Sequence, residues 1–129
     1  MQTLIIDGYN AIYSIPEIEE LLDESLEAAR IGLIKLISEF KASRKDVAYI
    51  YIVFDGKSAY LDEEIPQTPG VTAIYTNTKK SADNKILEII KESNKPELIT
   101  VISNDNFLYN NVRSHGARIK TVEEFYRML

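Results

Sequence analysis

Cysteine is absent from the 129-residue chain, which excludes disulfides, a thiolate nucleophile and any cysteine-based zinc or iron–sulfur site. That absence fits a reducing, intracellular compartment. Histidine occurs once, as His115, so an imidazole-rich metal site is excluded as well. No apolar run is long enough to span a membrane, and the first one, in Met-Gln-Thr-Leu-Ile-Ile-Asp, is cut by a charge at Asp7. It reads as neither a secretory signal nor an anchor, and the expected location is cytoplasmic, with no membrane partner. Internal repeats and low-complexity tracts are also missing. Glycine is sparse, with 5 residues. Gly8 stands alone after the first apolar run, so the glycine-rich first turn of a dinucleotide binder is not there, nor is a Walker lysine loop.

What is present suits one globular unit over residues 1–129, with 45% hydrophobic and 27% charged residues. Net charge is −5, which on its face argues against a nucleic-acid binder. Setting four aspartates aside as a metal cluster leaves a nearly neutral remainder, so acidity is weak evidence either way.

The elements alternate. Leu4 to Ile6, Val47 to Phe54, Val71 to Tyr75, Leu98 to Ile102 and Arg118 to Lys120 read as strands. Ser14-Ile15-Pro16-Glu17 reads as a helix start, with proline tolerated in the first turn. Longer helices are expected over residues 24–41 and 81–92, a short one near 106–114, and a last one from the capping-box pattern Thr121-Val-Glu-Glu124. Asp62 to Gly70, with Pro66 and Pro69, reads as a loop. This order predicts an α/β fold with a mostly parallel sheet of about five strands and helices on both faces.

Strand ends carry the informative residues. Asp7-Gly8-Tyr9-Asn10 follows the first strand, Asp55-Gly56-Lys57 the second, and Ser103-Asn104-Asp105 the fourth. The third leads through Asn77-Thr78-Lys79-Lys80 to Ser81-Ala82-Asp83. Parallel strands would gather these four aspartates on one edge. Taken singly, Asp7 and Asp55 also read as Asp-Gly turns, Asp105 as a helix cap, and Asp83 as a first-turn carboxylate favoured by the helix dipole. Helical phase weighs against that reading for Asp83. Seven residues at about 100° each bring it within about 20° of Ile90, on the inward stripe with Ile86. An inward carboxylate needs a cation, and the other aspartates have the wrong sign. Oxygen ligands without cysteine or histidine suit magnesium or manganese rather than zinc.

These residues, Leu4-Ile-Ile-Asp7-Gly-Tyr-Asn10, Ile52-Val-Phe-Asp55-Gly, Ser81-Ala-Asp83 and Val101-Ile-Ser-Asn-Asp105, together with Gly116-Ala-Arg-Ile-Lys-Thr-Val-Glu-Glu-Phe, resemble the YacP-like NYN domains. That group is a branch of the PIN-like ribonucleases. The resemblance implies a three-layer α/β/α PIN-like fold and magnesium- or manganese-dependent cleavage of RNA by one or two ions. It implies Asp7, Asp83 and Asp105 as main metal ligands, Asp55 as completing the cluster, and Asn10 as orienting a ligand or metal-bound water. Asn10 also reads as a local cap. Such ions lower the pKa of a bound water and stabilise the leaving oxygen, so in-line attack would leave a 5′-phosphate and a 3′-hydroxyl.

An acidic pocket repels a polyanion, so Lys57, Lys79 and Lys80 are expected as rim cations, with ordinary solvated lysines the plain alternative. Ser81, Ser103 and Asn104 are candidate contacts to phosphate or bound water, Ser81 equally a helix cap. Tyr9, beside Asp7, is the candidate aromatic contact, whereas Tyr49 and Tyr51 are expected to pack under a helix. His115 reads as a partner for a helix C-terminus rather than a base.

Among rivals, a haloacid-dehalogenase-like phosphotransferase would need an aspartate where Tyr9 stands. Two others remain open: a non-cleaving module that binds RNA or the ribosome, and the toxin of a toxin–antitoxin pair. RNA is the expected partner, and a homodimer is compatible with the sequence.

Overall fold

A computed structural model describes residues 1–58 and 61–129, without the side chains of residues 57 and 58. Six strands form one sheet: β1 (Gln2–Asp7), β2 (Val47–Ser58), β3 (Glu63–Thr68), β4 (Val71–Asn77), β5 (Ile99–Ile102) and β6 (Arg118–Lys120). Their order across the sheet is β3-β4-β2-β1-β5-β6. All neighbours pair in parallel except β3 and β4. The helices are α1 (Gly8–Ser14), α2 (Pro16–Glu19), α3 (Leu26–Ala42), α4 (Ala82–Glu92), α5 (Asn106–Ser114) and α6 (Val122–Tyr126).

Strand alternation divides the core in two. Leu4 and Ile6 of β1, with Ile50, Ile52 and Phe54 of β2, face Ala11, Ile12, Leu33, Ile37 and Phe125 from α1, α3 and α6. Ile5 and Val53 point the other way, against Ile86 and Ile90 of α4 and Leu108 and Val112 of α5. The expected three layers are therefore present, built from the period of two in the central strands and of nearly four in the helices.

Three expectations are corrected. The segment Glu63–Thr68 is a strand rather than part of a loop. It lies antiparallel on β4 and is exposed at every residue, so no alternation of burial marked it. The helix start read at Ser14 to Glu17 is α2, with Pro16 in its first turn, but another helix precedes it: α1 begins at Gly8, directly after β1. Gly8 there is not a turn residue. A Cβ at its position would meet the Phe54 ring at 2.5 Å and the Val53 carbonyl oxygen at 2.8 Å, so α1 leaves β1 too close to β2 for any side chain. Lastly, the stripe of Tyr49 and Tyr51 is only partly covered. α4 packs over the upper end of that face, leaving Tyr51 half-buried and Tyr49 57% exposed.

No helix among the described residues is long and apolar enough to cross a membrane.

Candidate metal and nucleic-acid site

β1 and β5 are neighbours, yet the helix after β1 packs on one face of the sheet and the helix after β5 on the other. Loops that diverge in this way open a crevice at the strand C-termini, the usual place for a site in an open α/β sheet. A cavity of about 340 Å³ lies there, lined by Asp7, Tyr9, Asn10, Tyr13, Ser14, Asp55, Ser81, Asp83 and Asp105. The four aspartates singled out in the sequence thus share one cavity.

They differ in setting. Asp7, at the end of β1, is 8% exposed, and its carboxylate accepts a hydrogen bond from Ser103 Oγ at 2.8 Å. Burial pushes its pKa up to about 6; the Ser103 bond opposes the rise, and the charges of Asp55 and Asp105 add to it. Asp83, in the first turn of α4, is lifted further, to about 7. Burial is again the first cause, followed by the charges of Asp105 and Asp7 and a hydrogen bond shared with Asp105. Asp105 is fixed from behind, as its Oδ1 accepts the amides of Phe107 at 2.7 Å and Leu108 at 3.4 Å to cap α5. Asp55 follows the last apolar residue of β2 and accepts the amide of Ala82, so it caps α4 from across the sheet. Ser81 caps the same helix through the amide of Asn84 at 3.2 Å. The glycine after Asp55 does take the left-handed conformation, with φ of 64°, and its amide is bound by buried Thr76.

The remaining predicted site residues fall into three places. Ser103 and Asn104 lie behind the carboxylates, and Asn10 stands in the cavity wall beside them. The buried Ser103 hydroxyl joins Asp7 to the backbone amide of Asp105, which donates to it at 3.1 Å. Asn10 Oδ1 accepts the amide of Asn104 at 2.7 Å, tying α1 to the β5–α5 loop. Asn104 is outside the cavity lining; its side chain accepts the amide of Val122 at 2.8 Å and donates to Glu123 at 3.2 Å and to Ser14 at 3.3 Å. Tyr9 lines the cavity, but its hydroxyl accepts from Arg30 at 2.5 Å and its ring leans on Phe54 at 5.4 Å.

Of the expected rim cations, Lys80 is bound to Asp62 at 3.0 Å and to Glu88 at 2.8 Å. Lys79 is exposed, outside the cavity lining. The Lys57 side chain lies outside the described residues. His115 is the helix partner expected from sequence: its Nδ1 lies 2.7 Å from the carbonyl of Asn111 in the last turn of α5.

Three residues near the cavity escaped the sequence reading. Tyr13 and Ser14 stand one turn beyond Tyr9 and Asn10, a spacing that speaks only once α1 is known to start at Gly8. Arg30, on α3, anchors Tyr9 and also pairs with Glu27 at 3.1 Å. Nothing local in the sequence distinguishes it from a solvated helix arginine.

By donor chemistry the cavity suits a hard divalent cation, since the acidic side chains facing it offer oxygen alone. Among the described residues no three acidic or histidine side chains already converge as a finished coordination set. Asp83 instead keeps its pKa raised beside Asp105, as close carboxylates do when no cation lies between them.

Comparison with known proteins bears on the family and the fold. The model of the YacP-like NYN domain matches residues 4–129. A protein named as uncharacterized YacP from Bacillus subtilis strain 168 is 27% identical over 128 residues, which cover 98% of this chain and 74% of that protein. Crystal structures of Rae1 (YacP) from Bacillus subtilis are also similar. One has a TM-score of 0.79 at 26% identity; a W164L mutant has a TM-score of 0.78 at 27% identity. Each alignment covers 98% of this chain and 72% of the solved one. The chain belongs to the YacP-like NYN domain family, a branch of the PIN-like nuclease superfamily.

Proposed function

We propose that the protein is a magnesium- or manganese-dependent endoribonuclease acting at the aspartate cavity. The observation that carries this reading is the unbalanced charge of the cavity. Four carboxylates from four separate chain segments line it, and two of them hold protons well above the usual carboxylate range. Retaining such a cluster in a fold costs stability and is offset when cations bind.

Asp7, Asp83 and Asp105 would hold the ion or ions, with Asp55 adding charge at the margin. When bound, a divalent ion lowers the pKa of a water and neutralises charge developing on the phosphate. The chain's own groups prepare that chemistry. Ser103 orients the Asp7 carboxylate and ties it to the Asp105 backbone, and the α5 amides hold the Asp105 side chain. Asn10 holds the loop between β5 and α5 in register with α1. Protons on Asp83 and Asp7 compete with the cation and leave as it binds, so binding tightens as pH rises.

The test is cleavage of single-stranded and structured RNA by the purified protein with magnesium or manganese. EDTA should stop the reaction, and the new ends should be 5′-phosphate and 3′-hydroxyl. Asp83→Asn and Asp105→Asn should each lower the rate by more than about 100-fold, the upper range for loss of residues that merely support a metal ligand. Full activity in both variants overturns the site assignment. Failure of every divalent metal to support cutting overturns the nuclease reading.

A further inference from the structure

We propose that Tyr13 is a substrate-contacting residue of this site, a platform on which an unpaired base stacks. The inference rests on the nuclease reading above and adds a positioning contact outside the aspartate set.

Tyr13 and Tyr9 sit four residues apart on one face of α1, and both line the aspartate cavity. Tyr9 is already occupied. Its ring leans on Phe54, the Arg30 guanidinium lies over it at 5.5 Å, and its hydroxyl accepts two nitrogens of Arg30. A base has no face of Tyr9 left to cover. Tyr13 is the reverse case. It is 58% exposed, while its neighbours Ala11 and Ile12 on the same short helix are buried. Among the described residues its ring has no aromatic or cationic neighbour and its hydroxyl no hydrogen bond. Tyr13 is thus the aromatic side chain at this cavity with a free face.

The charge of the site gives that face a purpose. The cavity is acidic, Lys80 is committed to Asp62 and Glu88, and Lys79 stands outside the lining. Among the described residues the rim therefore offers few cations to phosphate, and an acidic wall repels the backbone. Stacking is indifferent to that repulsion, because every base presents a π-face whatever its sequence. Within a duplex those faces are already covered by neighbouring bases, so only an unpaired nucleotide can lie on Tyr13.

The experiment measures binding of a short, fluorescently labelled single-stranded RNA and of a duplex of the same sequence, by anisotropy. Calcium replaces magnesium to occupy an oxygen site. Wild type is compared with Tyr13→Ala, Tyr13→Leu and Tyr13→Phe, with circular dichroism to verify the fold. Both Ala and Leu should weaken single-strand binding by about tenfold, the loss expected for one stacked base. Phe, which keeps the ring, should bind like wild type, and the duplex should bind more weakly and equally to all four proteins. A 2-aminopurine scanned along the single strand should be quenched at one position by wild type and not by Tyr13→Ala. Binding by Ala or Leu as tight as wild type overturns the inference, as does equal binding of duplex. If wild type cleaves RNA while Tyr13 proves irrelevant, only this inference falls. A wild type that neither binds nor cleaves removes the nuclease reading beneath it.

Discussion

Two charged clusters flank the first turns of α4, and they treat the same residue type in opposite ways. On one side, Asp62 accepts Lys80 at 3.0 Å, Lys85 at 3.2 Å and the Asn77 amide at 3.1 Å, while Glu88 completes the set through Lys80. Burial by itself would raise the Asp62 carboxyl, but the Lys80, Asn77 and Lys85 contacts outweigh it and hold the pKa below the usual range. On the other side, burial and like charge lift Asp83 to about 7 and Asp7 to about 6. The first cluster balances two positive against two negative side chains and fastens the chain around residue 62 to α4. The second is left unbalanced in a cavity. Compensated charge builds the fold here, and the uncompensated charge is what the proposed cation would neutralise.

The sharpest way to break this contrast is to neutralise one member of each cluster. Asp83→Asn should abolish RNA cleavage and yet raise the melting temperature of the metal-free protein, because it removes a half-buried, repelled carboxylate. A metal-free Asp83→Asn protein that melts lower than wild type would refute the claim that the cavity stores repulsion. Ser103→Ala comes next. Losing the 2.8 Å bond should push the Asp7 pKa further up, cut cleavage by about tenfold, and shift the pH–rate profile toward alkaline values. An unshifted profile would leave Ser103 with a packing role alone.

Asp62→Asn should act only on stability. Leaving two partly buried lysines with less acceptor charge should cost about 1 kcal/mol, or roughly 4 °C in melting temperature. Cleavage by folded protein should be unaltered, and a matching loss of activity would tie the two clusters together.

The smallest effect is in the pH dependence of metal-free stability. Asp7 and Asp83 have raised pKa values, so the folded state holds protons that the unfolded chain has released. Their contribution should therefore be fullest at and below pH ~4 and decline as pH rises through ~6 to 7. Asp62 works in the other direction: its contribution is present at neutral pH and is lost on acidification below ~4. Asp83→Asn should flatten the neutral slope and leave the acid loss in place. Thermal melts across this range, in EDTA, distinguish the two.

The sequence made the sheet and the aspartate edge legible because both depend on local pattern: apolar runs that end in Asp, and an inward phase for Asp83. Its failures share a cause, namely reliance on partners distant in the chain. Asp7-Gly8 looks like a turn until Phe54 and Val53 explain why the helix must begin with glycine. Lys80 looks like a free rim cation until Asp62, 18 residues earlier, is found against it. Ser103 and Asn104 look like substrate contacts, but their acceptors and donors lie at Asp7, near the start of the chain, and at Val122, near its end. Tyr9 looks like the aromatic substrate contact because it adjoins Asp7, until Arg30, 21 residues on, is found bound to it. Prolines in residues 63–70 outweighed weak strand propensity because the strand there has no buried face to announce it.

That same outermost strand bears on how copies of the protein can meet. β3 presents Glu63, Glu64 and Pro66 along the border of the sheet, and β6 at the opposite border is three residues long. Charge and proline discourage a further strand from joining the first border, and the second offers little length to join. Sheet growth by addition of another chain is thus blocked at both limits, a safeguard against fibrous aggregation that leaves faces and helices, not strand borders, as the surfaces for assembly.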